Sequence, residues 1–336
     1  MKKTKKIIII VLAVLLSIVL ALVGTFLILT YVGKSQFHDA DTHISAEEVT
    51  IEDETTITYN GKKYTLNENV VSVLVMGIDR ENVNENFGSG NNGQADVIFV
   101  ATIDTETKRT CIIPISRETM VDVNLYTQDG KFAGSKHEQL CLAYAYGNTT
   151  EQSSQNVLTS VKRLLYGINI SSYVTIEMEG VEKLTDLVGG VKLTCLEDST
   201  DSQYFFKKGE KLNLYGQKAT AYISYRGNDV EANARRMARQ KQFLSALMNE
   251  TGNEISNDYT KLATLYTALS PYFNSDISFA QIAYLAQNCL TINFGDAMQY
   301  KTIEGTLNQG EEWIEFEADK ESTLQTVIDV FYTPKQ

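Results

Sequence analysis

The chain has 336 residues, with 42 Asp and Glu against 30 Lys and Arg and a formal net charge of −12. Its 43% hydrophobic and 21% charged residues are typical of a folded protein and exclude a disordered or collagen-like chain. The first 34 residues contain five lysines and no acid, so the remaining chain has 25 basic and 42 acidic residues, a charge of −17. Because affinity for nucleic acid comes mainly from neutralising phosphates, we expect no nucleic-acid partner.

The N-terminus contains an apolar run from Ile7 to Val32 that follows four lysines. As a helix it would be roughly 39 Å long, enough to cross the ~30 Å hydrocarbon core of a bilayer. It is too long for a cleavable signal peptide, whose apolar segment has about 7–15 residues. We therefore expect a cytoplasmic tail (1–6), a transmembrane signal anchor (7–33) and an extracellular stem (34–55). The lysines orient the span, so the protein is expected in the cell membrane, single-pass, with its C-terminal domain outside.

Residues 56–333 predict one α/β domain with a central mixed β-sheet flanked by helices. Alternation around an Asn-Gly turn predicts a hairpin near residues 56–64, and the β-branched run Val70–Met76 predicts a buried central strand. Three such core strands end in polar turns, so a site is expected at their common edge. Further strands are predicted at 96–103, 109–115, 173–178 and 191–196. Helices are predicted at 153–166, 180–187, 216–222, 231–249, 259–269, 279–285 and 323–331.

The cysteines have neither CxxC nor metal-site spacing. Three of the four lie in apolar stretches, which favours buried free thiols, although outside the membrane pairing stays open. The four are Cys111, Cys141, Cys195 and Cys289.

Four of the eight arginines fall within the fourteen residues 226–239. Arginine suits forked recognition of phosphate or carboxylate. On the helix predicted at 231–249, Arg236, Arg239 and Gln240 have i, i+3 and i+4 spacing, which predicts one shared face. Phe243 and Leu247 continue that stripe, so the face is cationic first and apolar later. Such a face suits a ligand with an anionic head and an apolar tail; a solvated charged turn followed by a core stripe is the alternative.

Two acidic residues are also predicted to lie near arginines and could contribute to a phosphate-binding site. Asp79 and Asp96 lie at the ends of neighbouring predicted strands, with Arg80 beside the first. Together they could hold Mg²⁺ against a pyrophosphate, or simply pair with the arginines. The residues alone thus indicate a phosphoryl-handling site outside the membrane.

An ordered set of short motifs resembles the LytR-CpsA-Psr family of bacterial envelope proteins over about residues 56–333. The matching stretches are Val73–Asp79, Gln94–Ile98, Ile115–Thr119, Leu142–Gly147, Glu179–Gly180, Leu187–Val191, Leu214–Arg226 and Arg236–Gln240. No single stretch is very specific, but their order and spacing are.

The resemblance implies a phosphotransferase that moves an anionic glycopolymer, of teichoic-acid or capsule type, from a polyprenyl-pyrophosphate carrier to peptidoglycan with Mg²⁺. It also allows a pyrophosphatase activity. By the same resemblance, Asp79, Asp96 and Arg117 are catalytic, and the two acids bind the metal. Apolar helix faces, including Phe243 and Leu247, enclose the lipid. The residues implied to bind pyrophosphate are Arg80, Arg117, Arg226, Arg236, Arg239 and Gln240.

The chain also departs from the family pattern. Gln94 and Ser224 stand where the family usually has arginine, and Asn233 lies where it often has Asp. The Pro-Arg-Asp of the family becomes Ser116-Arg117-Glu118. A catalytically weakened protein that binds polyprenyl phosphates without turnover is therefore the alternative function. Membrane-bound transcriptional regulation has little support, because a cytoplasmic tail of about six residues is too short to fold.

Overall fold

The structure is a computed structural model that describes residues 24–25, 27–37, 44–79, 93–199, 204–225, 232–258, 260–289, 298–310 and 313–335. The predicted cytoplasmic tail, most of the predicted span 7–33, and both Arg80 and Arg226 lie outside these ranges. Within them, no helix combines the length and the apolar character that crossing a bilayer requires. The transmembrane anchor accordingly stays a prediction.

The described strands and helices follow the predicted alternation. The strands are β1 Thr50–Ile51, β2 Thr56–Tyr59, β3 Lys62–Leu66, β4 Val70–Ile78, β5 Ala95–Asp104, β6 Thr110–Ile115, β7 Met120–Tyr126, β8 Phe132–Gln139, β9 Ser172–Glu177, β10 Val191–Thr194, β11 Lys211–Leu214, β12 Phe273–Ser275, β13 Met298–Tyr300, β14 Gly305–Gln309, β15 Ile314–Ala318 and β16 Tyr332–Pro334. The helices are α1 (27–37), α2 Leu142–Ala145, α3 Thr150–Leu164, α4 Met178–Leu187, α5 Gly216–Ser224, α6 Ala232–Asn257, α7 Thr260–Leu269, α8 Phe279–Cys289 and α9 Lys320–Phe331.

The central sheet has six strands in the order β12-β9-β4-β5-β6-β13. Strand β4 pairs antiparallel with β5 and parallel with β9, so the sheet is mixed, as the sequence predicts. The end of β4 therefore lies beside the start of β5, where the Asp79 amide donates a hydrogen bond to the Gln94 carbonyl over 3.3 Å. This edge is the one at which the sequence places two acids.

The two faces of the sheet have different neighbours. Because side chains alternate along a strand, Leu74, Met76 and Ile98 point to one face and are buried in the main core. That core is completed by apolar side chains of α3 and α9. The intervening residues, such as Val75 and Phe99, are only partly buried and line a cavity on the opposite face. The continuous apolar run of β4 thus serves a core on one face and a cavity on the other.

A second core closes the far side of that cavity. It joins α4, α5 and α6 to the hairpin β10–β11, with Leu214 and Tyr222 almost fully buried. The hairpins β7–β8 and β14–β15 were not predicted. All residues of β8 are exposed or only partly buried and all residues of β14 are exposed, so these two strands lack an apolar pattern in the sequence.

The described part of the predicted stem packs on the domain, and so does the end of the predicted span, residues 27–33. Phe37, at the end of α1, is 2% exposed beside Tyr284 of α8, and Ile44 is 1% exposed in the main core. Helix α1 approaches α8 so closely that a Cβ atom on Gly33 would lie 2.1 Å from the carbonyl oxygen of Ala280. Only glycine fits this contact, and the helix is consequently held against the domain.

Three cysteines match the prediction of buried free thiols, and the side chain of Cys289 is not among those described. The three are Cys111, Cys141 and Cys195.

Candidate active site

The cavity lies between the open face of the central sheet and helices α4, α5 and α6, and has a volume of about 240 Å³. Its apolar wall comes from alternate residues of β4, β5 and β6 and from the inner faces of α4 and α6. Its polar end is formed by residues at the start of β5, after β6 and early in α6. The apolar lining includes Val75, Val97, Phe99, Ile112, Val181, Leu184, Leu244 and Leu247; the polar end includes Asp96, Ser116, Arg117, Arg236 and Gln240.

Arg117 is the centre of the polar end. Its guanidinium forms an ion pair with Asp96 and donates a second hydrogen bond to the side-chain oxygen of Gln94. It also lies 3.6 Å from the thiol sulfur of Cys141, and burial raises the pKa of that thiol, which keeps it neutral. The turn after β6 thus places one guanidinium against the start of β5.

Glu118 connects the two arginines of the site. Its side chain is 5% exposed, and one carboxylate oxygen lies 4.0 Å from Arg117 and 3.9 Å from Arg236. The other oxygen accepts a 2.7 Å hydrogen bond from the Ser116 hydroxyl. A buried carboxylate between two guanidinium groups fixes both of them at the same end of the cavity.

The pKa of Asp96 is raised by burial, and the nearby negative charge of Asp79 adds to the rise. The positive charges of Arg117 and Arg236 oppose it without cancelling it. The two arginines therefore compensate only part of the cost of burying this carboxylate.

The polar residues in the first turns of helix α6 do not all point toward the cavity. At about 100° per residue, Gln240 lies about 40° to one side of Arg236, whereas Arg239 lies about 60° to the other. The cavity is on the side of Gln240, and Arg236 and Gln240 both line it. The expectation of one shared face for all three side chains therefore does not hold.

Arg239 is instead buried in the second core, at 2% exposure. It forms an ion pair with Glu197 and donates hydrogen bonds to the backbone carbonyls of Tyr222 and Tyr225 at the end of α5. Burial lowers its pKa to about 10. Arg239 is not among the residues that line the cavity, and these contacts give it a role in joining α5 to α6.

The two residues predicted to touch the lipid, Phe243 and Leu247, lie two and three turns after Arg236. They line the apolar part of the cavity and also pack in the second core, at 4% and 7% exposure. Of the other predicted site residues, Asp79 is exposed at the end of β4, while Arg80 and Arg226 lie outside the described residues.

Several residues that line the cavity or lie beside it were missed by sequence reasoning. Glu118 was noted only as a departure from the family motif. Met178 was predicted to end a strand and Val181 to lie in a helix, and neither was assigned to a site, yet both line the cavity from α4. Lys241 and Tyr300 are far apart in sequence, yet the Lys241 ammonium lies 4.2 Å from the centre of the Tyr300 ring. For that pair the sequence contains no signal, since only the fold brings them together.

The acids at this edge fit a magnesium ion better than a metal with an all-protein ligand set. Within the described ranges, no group of three or more His, Cys, Asp or Glu residues is placed to hold a metal. Magnesium is usually held by one or two carboxylates together with substrate phosphates and water. If a magnesium ion binds here, Asp96 would be such a carboxylate, and it lies beside Arg117.

The fold and the site define an α/β protein with an apolar cavity that ends at paired arginines and carboxylates. The chain belongs to the LytR-CpsA-Psr family, whose family model, LytR_cpsA_psr, matches residues 32–328.

Among curated proteins, the chain is similar to the polyisoprenyl-teichoic acid–peptidoglycan teichoic acid transferase TagU of Enterococcus faecalis. The two are 27% identical over 291 residues, which cover 85% of this chain and 84% of the relative. Alignments with three further TagU proteins span 60–63% of their lengths.

Two solved structures share the fold. The crystal structure of Bacillus subtilis TagV has a TM-score of 0.62 and 24% identity, over 78% of this chain and 96% of that one. TagT bound to LIIa-WTA has a TM-score of 0.57 and 17% identity, over 78% of this chain and 89% of that one.

Proposed function

We propose that the protein transfers an anionic glycopolymer from a polyprenyl-pyrophosphate carrier to peptidoglycan, as a Mg²⁺-dependent phosphotransferase at the outer face of the cell membrane. The transferase names of its relatives support this reaction class. The observation that carries the proposal is the continuity of an apolar cavity with Asp96, Arg117 and Arg236 at one end. A polyprenyl chain matches the apolar part, and a diphosphate matches the arginines.

Charge supports the position of the diphosphate. The guanidinium groups of Arg117 and Arg236 face the same end of the cavity, where forked donors suit phosphate oxygens. Asp96 and Asp79 alone would repel a diphosphate, and these two carboxylates are the residues that would hold the proposed Mg²⁺. When bound, the ion would neutralise part of the charge on the diphosphate.

In the proposed reaction, the hydroxyl oxygen of the acceptor forms a bond to the phosphorus that carries the glycopolymer. The bond from that phosphorus to the bridging oxygen breaks, and polyprenyl phosphate leaves. The hydroxyl proton passes to the carboxylate of Asp79 or Asp96 and then to water. Arg117 and Arg236 stabilise the negative charge on the phosphoryl oxygens and on the leaving phosphate, so that positioning and charge supply most of the rate. Water in place of the acceptor would give pyrophosphatase activity.

The test uses the full chain in lipid nanodiscs with a polyprenyl-diphosphate-linked glycan, Mg²⁺ and soluble peptidoglycan fragments. Release of polyprenyl phosphate and transfer of the glycan are both measured. We expect both from the wild type, and a loss of at least 100-fold in Asp96→Ala and Arg117→Ala. Arg109→Ala is the matched control, because Arg109 is exposed in the turn before β6 and does not line the cavity.

The alternative of a lipid-binding protein without turnover predicts a different result. The side-chain oxygen of Gln94, which replaces a family arginine, accepts a hydrogen bond from Arg117 and so occupies one of its donors. Tight binding of the donor lipid with no release by the wild type would contradict the transferase proposal and support this alternative.

A further inference from the structure

A second cleft lies beside the cavity and has a volume of about 180 Å³. It is bounded by the end of β6 and the turn after it, by the first turns of α6, and by the segment 302–307 with the facing strand β15. The residues that line it are Pro114, Ile115, Ser116, Thr119, Ala234, Met237, Thr302, Ile303, Glu304, Gly305, Leu307 and Phe316.

The cleft is built together with the polar end of the cavity. Four residues line both spaces, namely Pro114, Ile115, Ser116 and Met237. The hairpin β14–β15 is held to the Arg117 turn by a 2.9 Å hydrogen bond from the Phe316 amide to the Glu118 carbonyl and by a parallel bridge between Thr119 and Phe316. An occupant of the cleft would therefore lie directly beside the turn that presents Arg117.

The lining chemistry disfavours an anionic occupant and fits a neutral sugar. Among the described residues of the lining, Glu304 is the one ionisable side chain, and it is an acid. Apolar surface from Leu307 and Phe316 suits the C–H face of a pyranose ring, while Thr302, Ser116 and Glu304 offer oxygens to its hydroxyl groups. The volume is roughly six times the ~30 Å³ that one water occupies in the liquid, which is enough for a single hexose ring.

We infer that this cleft binds a neutral pyranose ring of the glycan that accepts the transferred polymer. The inference rests on the proposed function, in which the donor lipid occupies the cavity. In an in-line displacement the attacking hydroxyl approaches phosphorus from the side opposite to the leaving phosphate. The cavity takes the lipid phosphate, so the adjoining cleft is the place from which a sugar hydroxyl reaches the same phosphorus. A phosphate-rich donor polymer finds no cation in the cleft lining.

Leu307 offers a test that leaves the fold intact, because it is 42% exposed. On β14, Leu307 faces Phe316, whereas its neighbour Asn308 pairs with Glu315 and projects to the opposite face of the hairpin. Leu307→Arg fills the cleft and adds a positive charge, and Asn308→Arg adds the same charge outside it. The two variants are thus matched in position, size and charge.

Transfer by full-length protein in nanodiscs is measured with the donor and a soluble peptidoglycan fragment each varied in turn. We expect Leu307→Arg to raise the acceptor KM at least tenfold with the donor KM unchanged, and Asn308→Arg to resemble the wild type. Equal acceptor KM values in the two variants would overturn the inference. A donor KM that falls in Leu307→Arg alone would show instead that the anionic polymer occupies the cleft.

If the wild type shows no transfer, the proposed function is contradicted. A direct binding measurement still tests the sugar site in that case. Saturation-transfer NMR with an uncharged N-acetylglucosamine disaccharide is recorded for the full chain. We expect a signal with the wild type and Asn308→Arg and a loss of that signal with Leu307→Arg. The absence of any signal with the wild type, or an equal signal in all three proteins, would contradict a sugar site in this cleft.

Discussion

The carboxylate of Glu118 lies 3.9 Å from the guanidinium of Arg236, and both side chains are buried, at 5% and 8% exposure. The same carboxylate lies 4.0 Å from Arg117. One acid thus spaces two arginines that belong to different elements, the turn after β6 and helix α6. Glu118 is a positioning residue in this arrangement, since it acts on the ligand through the two guanidinium groups.

Replacing Glu118 by Gln should therefore lower transfer without abolishing donor binding. We expect a fall in kcat of roughly 10- to 100-fold, equivalent to about 1.4–2.7 kcal/mol of transition-state stabilisation, with a donor KM that changes less than threefold. Glu118→Asp should recover part of the rate because it restores the charge. Steady-state kinetics with full-length protein measures both constants.

The control for this substitution is Glu52→Gln, which breaks an ion pair with Lys63 in the four-stranded sheet β1-β2-β3-β16. It should leave both constants unchanged. An equal fall in kcat for both variants, or a Glu118→Gln enzyme as active as the wild type, would contradict a positioning role for Glu118.

A larger side chain in the apolar part of the cavity should exclude the lipid. Val181 of α4 is partly buried and lines the cavity, while Lys183 is exposed on the other side of the same helix. We expect Val181→Trp to raise the Kd for a polyprenyl phosphate at least tenfold, and Lys183→Trp to leave it unchanged. Isothermal titration in detergent measures the affinity, and the melting temperature of each variant reports the fold. Unchanged affinity in Val181→Trp would show that the lipid lies elsewhere.

Asp96 should titrate above the ordinary Asp range, because burial and the charge of Asp79 raise its pKa. The folded protein then binds this proton more tightly than the unfolded chain. Its contribution to stability is present below the ordinary value of 3.8 and is lost as pH rises through the raised pKa. We expect Asp96→Asn to remove that loss, which denaturant unfolding of wild type and variant across this pH window measures.

The effect of the Asp79 charge on the pKa of Asp96 can also be measured directly. Asp79→Asn removes one of the raising charges, so the carboxyl ¹³C signal of Asp96 should titrate at a lower pH in this variant than in the wild type. A titration midpoint that does not move would show that Asp79 does not act on Asp96.

Arg239 should matter for stability rather than for the ligand. Arg239 is 2% exposed, and Arg239→Met removes its hydrogen bonds to the carbonyls of Tyr222 and Tyr225 together with its ion pair to Glu197. Because a hydrogen bond from a charged group contributes about 1.5–3 kcal/mol, we expect the unfolding free energy to fall by at least about 3 kcal/mol. Neighbouring Arg235, whose side chain is 37% exposed and also pairs with Glu197, is the control, with an expected cost of less than about 1 kcal/mol.

Denaturant unfolding measures these costs, and lipid affinity is compared for the folded fraction of each variant. A change in unfolding free energy below 1 kcal/mol for Arg239→Met, or a selective loss of lipid affinity, would favour a direct contact with the ligand instead.

The sequence predicted the parts of the site that depend on local pattern. The apolar run of β4 predicted a central strand, and the order of Arg236, Gln240 and Leu247 predicted a helix face that begins polar and becomes apolar. Both features follow from side-chain periodicity. The mixed central sheet with flanking helices was likewise predicted from the alternation of elements.

Features set by packing could not be predicted in this way. Whether Arg239 or Gln240 faces the cavity depends on how α6 is rotated against the sheet, which periodicity alone leaves open because the two flank Arg236 by similar angles. The hydrogen bond from the Phe316 amide to the Glu118 carbonyl needs the hairpin β14–β15, whose strands are short and contain no fully buried residue. Long-range pairs such as Lys241 and Tyr300 need the complete fold.

Gly33 of helix α1 packs against the backbone of Ala280, so this helix lies directly against the domain. A helix packed in this way limits the orientations that the domain can adopt relative to it. If the segment before α1 spans the bilayer, as the sequence predicts, this packing restricts the height and the orientation of the cavity above the surface. Lipid-linked donors would then arrive by diffusion in two dimensions, while the acceptor glycan must extend to the enzyme.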